Sequence, residues 1–181
     1  MFENYLIEHC SPTLASLKTA NMFSVRYKHL SAVRDAIDMY NGFFAEKEVR
    51  LLLLKAEKDL ALIYVYRRSR LQADLNAPGA AEFLREYGYA SADADYCIAR
   101  LKKRLASCED FPHEIGVFLG YPLSDVIGFI ENAGRNCKCV GCWKVYGNEC
   151  EAIKTFAKYK KCAAVYSRLA AQGRTALQMT V

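Results

Sequence analysis

The chain has 181 residues, with 52% hydrophobic and 25% charged side chains and a formal net charge of +5. That balance excludes a disordered chain, and the length suits one domain with a substantial core. No apolar run approaches the ~20 residues a membrane span needs, and the start, MFENYLIEHCSP, lacks the basic and apolar regions of an export signal.

The first element in chain order is expected as a helix opening at Ser11-Pro12, with Ser11 as cap and Leu14 and Leu17 at helical spacing. A second helix is expected over residues 30–40, with Val33, Ile37 and Tyr40 on one face and Asn41-Gly42 ending it. Residues 49–56 and 59–67 read as an antiparallel hairpin joined at Glu57-Lys58. Leu51 to Leu54 are apolar on both faces, which predicts a central strand. Helices follow near 80–87 and 92–106, with Gly88 between them at a helix-ending left-handed position.

Residues 113–119 read as a strand turned by Gly120-Tyr121-Pro122, and Ser124 as the cap of a helix ended by Gly134. Residues 139–146 read as one more strand. Asn148 and Glu151 resemble a capping box opening a long last helix or helix pair, and the tail from 172 to 181 is expected to fray. The predicted class is α+β: a single domain over 1–181, with helices packed on an antiparallel or mixed sheet.

Three segments together carry a family likeness. The first is His9-Cys10-Ser11-Pro12-Thr13-Leu14, followed by Leu17-Lys18-Thr19 and Asn21. The second is HEIGVFLGYP, residues 113–122, and the third pairs Trp143-Lys144-Val145-Tyr146-Gly147 with residues 156–162. Over nearly its whole length the chain resembles the bacterial family called domain of unknown function 3793, common among clostridia. The resemblance implies a stand-alone cytoplasmic protein of anaerobic bacteria and supplies no activity.

The eight cysteines are scattered, which suits a reducing compartment and small buried hydrophobes. Cys10, just before the expected helix start, is the candidate nucleophile, because helix N-terminal N–H groups favour a thiolate. Its candidate base is His113, with Asp125, Asn132 or Glu114 able to orient the ring. That pair would make a thiol-dependent hydrolase or acyltransferase. His9, Glu114 and Tyr121 are weaker candidates for ligand contacts.

Cys137, Cys139 and Cys142 crowd six residues and are the candidate metal ligands. Alternation along the expected strand would turn Cys139 and Cys142 to opposite faces, so no metal or other cofactor is expected. No phosphate-binding glycine motif occurs. The basic runs at 67–70, 102–104 and 158–161 read as solvated faces, so nucleic acid is not an expected partner. The reading that results is a small cytoplasmic accessory protein binding a small molecule or a protein.

Overall fold

The hairpin expected from residues 49–67 is present in the computed structural model, which describes residues 2–107 and 111–181. Strands β2 (Val49–Glu57) and β3 (Leu60–Arg67) pair antiparallel, with a turn at Lys58-Asp59. Lys58 takes the left-handed backbone that so tight a turn requires. A third strand, β1 (Ala20–Arg26), lies antiparallel on the other side of β3, giving the order β1-β3-β2. The central strand is therefore β3 and not the Leu51–Leu54 run. From Ile63 to Arg67 every residue of β3 is buried, whereas most of β2 is half-buried or exposed, as suits an edge strand.

The chain divides into two compact units, residues 1–71 with 162–181, and residues 72–161. The first holds the three-stranded sheet, helix α1 (Phe2–Leu14) and helix α2 (Leu30–Phe43). Leu6, Cys10 and Leu14 recur every four residues on α1, and Val33, Ile37 and Tyr40 line α2. These stripes join Phe23, Val25, Val49, Leu51, Ala61, Ile63 and Val65 in one apolar core.

Ser11 and Pro12 sit in the last turn of α1 instead of opening a helix. The apolar period starts before them, and the Ser11 hydroxyl donates back to the Ile7 carbonyl within the helix. The turn after the helix passes through Ser16, in left-handed conformation, with the Leu17 and Lys18 amides both on the Pro12 carbonyl. Arg67, only 5% exposed, then caps this end. Its guanidinium donates to the carbonyls of Thr13 (2.7 Å), Leu14 (2.7 Å), Lys47 (3.0 Å) and Val181. Residues 172–181, expected to fray, include a last short helix. Helix α9 (Ala176–Met179) has a full capping box from Thr175 and Gln178, and Ala176, Met179 and Thr180 are buried.

In the second unit, α3 (Arg68–Leu75), which begins in the first, is followed by α4 (Ala80–Glu86), α5 (Ala94–Ser107), α6 (Ile115–Phe118) and α7 (Leu123–Glu131). Residues 113–119 are a turn and the short helix α6 where a strand was expected. Glu114 to Leu119 are all buried, so no face alternates with solvent and periodicity cannot separate strand from helix. Pro122, and not Ser124, stands at the cap of α7. Residues 139–146 fold back on themselves as β4 (Cys139–Val140) and β5 (Lys144–Val145). Gly141, in the bend between them, lets the Phe156 ring approach closely: a Cβ there would fall 2.2 Å from a ring carbon of Phe156. The long α8 (Glu149–Ala171) gives residues to both units.

Among the described residues no helix is long and apolar enough to cross a membrane. The architecture is α+β, an antiparallel sheet with helices packed on it.

Candidate functional site

Asp125 lies in the first turn of α7, where a carboxylate is favoured by the free amides of the helix start. It is 3% exposed. Oδ1 accepts the backbone N–H groups of Tyr146 (2.8 Å) and Gly147 (2.6 Å), and Oδ2 accepts the indole N–H of Trp143 (2.7 Å). One buried carboxylate thus ties the start of α7 to the β4–β5 hairpin. Gly128 and Gly147 allow the close approach: side chains there would strike Tyr146 and Ser124, at 2.5 and 2.6 Å.

The indole of Trp143 is fixed on two sides. Tyr121 stacks on it at 4.9 Å between ring centroids, and Phe156 meets it edge-on at 4.6 Å. Burial pushes the Tyr121 phenol up to about 12, with Cys142 adding to the shift, so this ring is neutral through the physiological range. Beside the indole, Asn148 Oδ1 accepts the Glu151 amide at 3.2 Å as α8 begins. Thr155 gives its hydroxyl to the Glu151 carbonyl, and Glu151 pairs with Lys154 at 2.7 Å.

These groups surround a cleft of 310 Å³ whose walls include Asp125, Trp143, Asn148, Glu151, Thr155 and Tyr159. Its size is at the lower end of ligand clefts, which run from about 300 to 1,000 Å³. A wider groove of 430 Å³ runs between α4 and α7, over Phe83, Leu123, Ile127 and Ile130. Its polar lining is confined to Glu86, Glu131 and the Tyr87 hydroxyl, so it lacks the buried, aimed polar group that orients a small ligand.

The residues singled out from the sequence are dispersed. Cys10 is in the interior of α1, fully buried in the first unit's core. Burial drives its thiol far above the ordinary cysteine range, against a smaller opposing pull from Lys18. The helix-start environment expected to stabilise a thiolate is therefore not present at this residue. His113 belongs to the second unit, exposed, its ring 5.0 Å from Phe129. His9 is exposed on α1 and stacks with Tyr5 and Phe23. Glu114 is 1% exposed and spent internally, accepting from Arg104 and from the Tyr89 hydroxyl at 3.2 Å. Tyr121 stacks on Trp143, a wall residue of the cleft, and Asp125, named from the sequence as an orienting group, lines the cleft itself.

Cys139 is in β4 and Cys142 in the bend that follows, so the alternation argued for one continuous strand does not apply to them. Desolvation and the neighbouring Glu149 carboxylate push the Cys139 thiol up. Among the described residues no group of three or more His, Cys, Asp or Glu side chains is placed to hold a metal. Cys108 lies outside the described residues.

The sequence alone offers Asp125 only as an orienting group and gives Trp143 no role in a site. Two signals bore on them: a carboxylate in the first turn of a helix, and the single Trp of the chain inside the glycine-flanked GCWKVYG.

A family profile described as "Protein of unknown function (DUF3793)" matches residues 6–180. The chain belongs to this family. No curated protein and no solved structure matches it. The hairpin, Asp125 and the first half of α8 all fall inside the matched span, as does the core of the first unit.

Proposed function

We propose that the chain is a small-molecule-binding protein and that the Trp143 cleft of the second unit is its binding site. The observation that carries this reading is Asp125. A carboxylate removed from water costs free energy unless its bonds are made, and here three are made, one of them by the Trp143 indole that stands with Asp125 on the wall of an open cleft. Such a site is held in place before a ligand arrives, which lowers the ordering cost of binding. We place the protein in the cytoplasm, where exposed cysteines such as Cys142 and Cys150 stay reduced.

The single tryptophan makes the reading testable, because its emission reports on this cleft. Compounds that raise the unfolding midpoint of the full chain are expected to change Trp143 emission as well. A ligand at 100 times its Kd adds about 2.7 kcal/mol of stability. Both effects are expected to vanish in Thr155→Phe, which puts a ring into the cleft and leaves Trp143 the single emitter. Compounds that stabilise the protein with no change at Trp143, or that bind Thr155→Phe as well as the parent, would place the site elsewhere.

A further inference from the structure

We infer that the ligand of this cleft is a small organic cation, an amine or guanidine, whose N–H groups face Asp125 and Glu151. The inference rests on the cleft being the binding site, and it comes from counting donors and acceptors on the walls. The donors are largely turned inward. The Trp143 indole N–H and the Tyr146 and Gly147 amides go to Asp125, the Thr155 hydroxyl goes to the Glu151 carbonyl, and the Glu151 amide goes to Asn148. The other polar hydrogens on the walls belong to neutral groups, on Ser124, Asn148 and Tyr159.

The acceptors are not exhausted. A carboxylate offers about four lone-pair positions. Asp125 uses two on Oδ1 and one on Oδ2, which leaves one on the oxygen that meets the indole. Glu151 is exposed and holds one cation, Lys154, in an i,i+3 pair. Exposed pairs of this kind contribute little, so a ligand ammonium can take the place of Lys154. Lys158 is the other nearby positive charge acting on Glu151, and neither lysine is on the cleft wall.

Charge points the same way. The chain carries a net +5, yet the charged residues lining this cleft are Asp125 and Glu151 and include no Lys, Arg or His. Trp143, Pro122 and Ala152 supply apolar wall for the body of the ligand. The competing chemistry is an anion at the start of α8. That end already carries Glu149 and Glu151 in its first turn and the Asn148 side chain as a cap, so an anion would meet like charge.

The test uses the full chain and four probes of similar size: benzylammonium, phenylguanidinium, benzyl alcohol and benzoate. Proton–nitrogen spectra follow the Trp143 indole N–H and the Gly147 amide, the two reporters bonded to Asp125. The cations are expected to shift both signals with at least about tenfold tighter binding than benzyl alcohol, and benzoate to shift neither. In Glu151→Gln the gap between cation and alcohol should narrow several-fold. Equal binding of alcohol and cation at these signals would overturn the cation and leave the cleft standing. Tightest binding by benzoate would likewise overturn it, in favour of an anion. If no probe moves either signal, the cation inference and the cleft reading both fall.

Discussion

Arg67 in the first unit and Asp125 in the second are buried to nearly the same degree, at 5% and 3% exposure. Both are charged groups taken out of water, and both are tolerated because hydrogen bonds replace the water. What differs is the surroundings. Arg67 faces backbone carbonyls at the end of α1, at the turn before β2 and at Val181, and the elements it joins close over it. Asp125 makes its three bonds to the segment 143–147 and also lines an open cleft, with Trp143 beside it on the wall. A buried charge enclosed by its partners reads as architecture. A buried charge that also lines a cavity and keeps an acceptor position unused reads as a site.

The comparison is broken most sharply at Arg67. Arg67→Ala leaves the carbonyls of Thr13, Leu14, Lys47 and Val181 without their shared donor. A buried polar group stripped of its partner costs ~1–3 kcal/mol. Allowing for water entering the gap, the expected loss is about 3–5 kcal/mol in urea unfolding. Arg67→Lys should recover only part of it, because one ammonium lacks the planar fork that reaches several carbonyls at once. If the second unit is independent in this respect, the Trp143 reporters should keep their native positions in Arg67→Lys below its unfolding transition. A loss under about 1 kcal/mol for the alanine variant would mean that Arg67 is not the closure it is taken to be.

Asp125→Asn sharpens the other side. The amide keeps one acceptor oxygen but turns two N–H donors toward groups that are themselves donors, the Trp143 indole or the Tyr146 and Gly147 amides. The expected cost is about 2 kcal/mol. Trp143 emission should shift red as the indole loses its fixed partner, and ligand stabilisation should disappear. An Asp125→Asn protein that is fully stable, with native emission, would show that the bonds are incidental to the shape of the cleft.

How much of this was legible in the sequence depends on range. The β2–β3 hairpin was readable because its turn and both strands lie within 20 consecutive residues and carry β-favouring side chains. Gly88, with its positive φ, was readable for the same local reason. Where local signals failed, a second physical option existed. Ser11-Pro12 has the composition of a helix start, but Ser11 satisfies itself on Ile7 and the proline falls near the far end of a helix already formed. The Leu51–Leu54 run suggested a central strand, yet β1, whose few apolar positions gave no separate signal, lies against β3 instead. Asp125 was visible only as an acid near a helix start. Its partners are 18 to 22 residues away across a bend at Gly141, and that separation hid the site.

The smallest expected effect concerns the thiol that the sequence favoured as a nucleophile. Cys10 is enclosed by the apolar core, and burial raises its pKa well above the ordinary value of 9.0. In the unfolded chain the same thiol ionises near that value. Above pH 9 the unfolded state therefore holds fewer protons than the folded state. Stability must then fall as pH rises, by up to about 1.4 kcal/mol for each pH unit above the unfolded pKa. Below pH 9 both states keep the proton and Cys10 adds no slope. Other groups raised by burial act in the same direction: Cys162 and Tyr166 in the first unit, the latter to about 12, and Cys97 in the second, to about 11. The slope between pH 9 and 10 should accordingly be reduced, not abolished, in Cys10→Ala. That variant also loses about 1–2 kcal/mol at pH 7 from the cavity left behind. Urea midpoints at pH 7, 9 and 10 measure both effects. Iodoacetamide labelling of the native protein gives the independent check: Cys142 and Cys150, both exposed, should react first, and Cys10 only on unfolding. Preferential labelling of native Cys10 below pH 7, slowed by His113→Ala, would mean that α1 opens to present the thiol, and the enclosed first unit would no longer stand as the architectural half of the comparison.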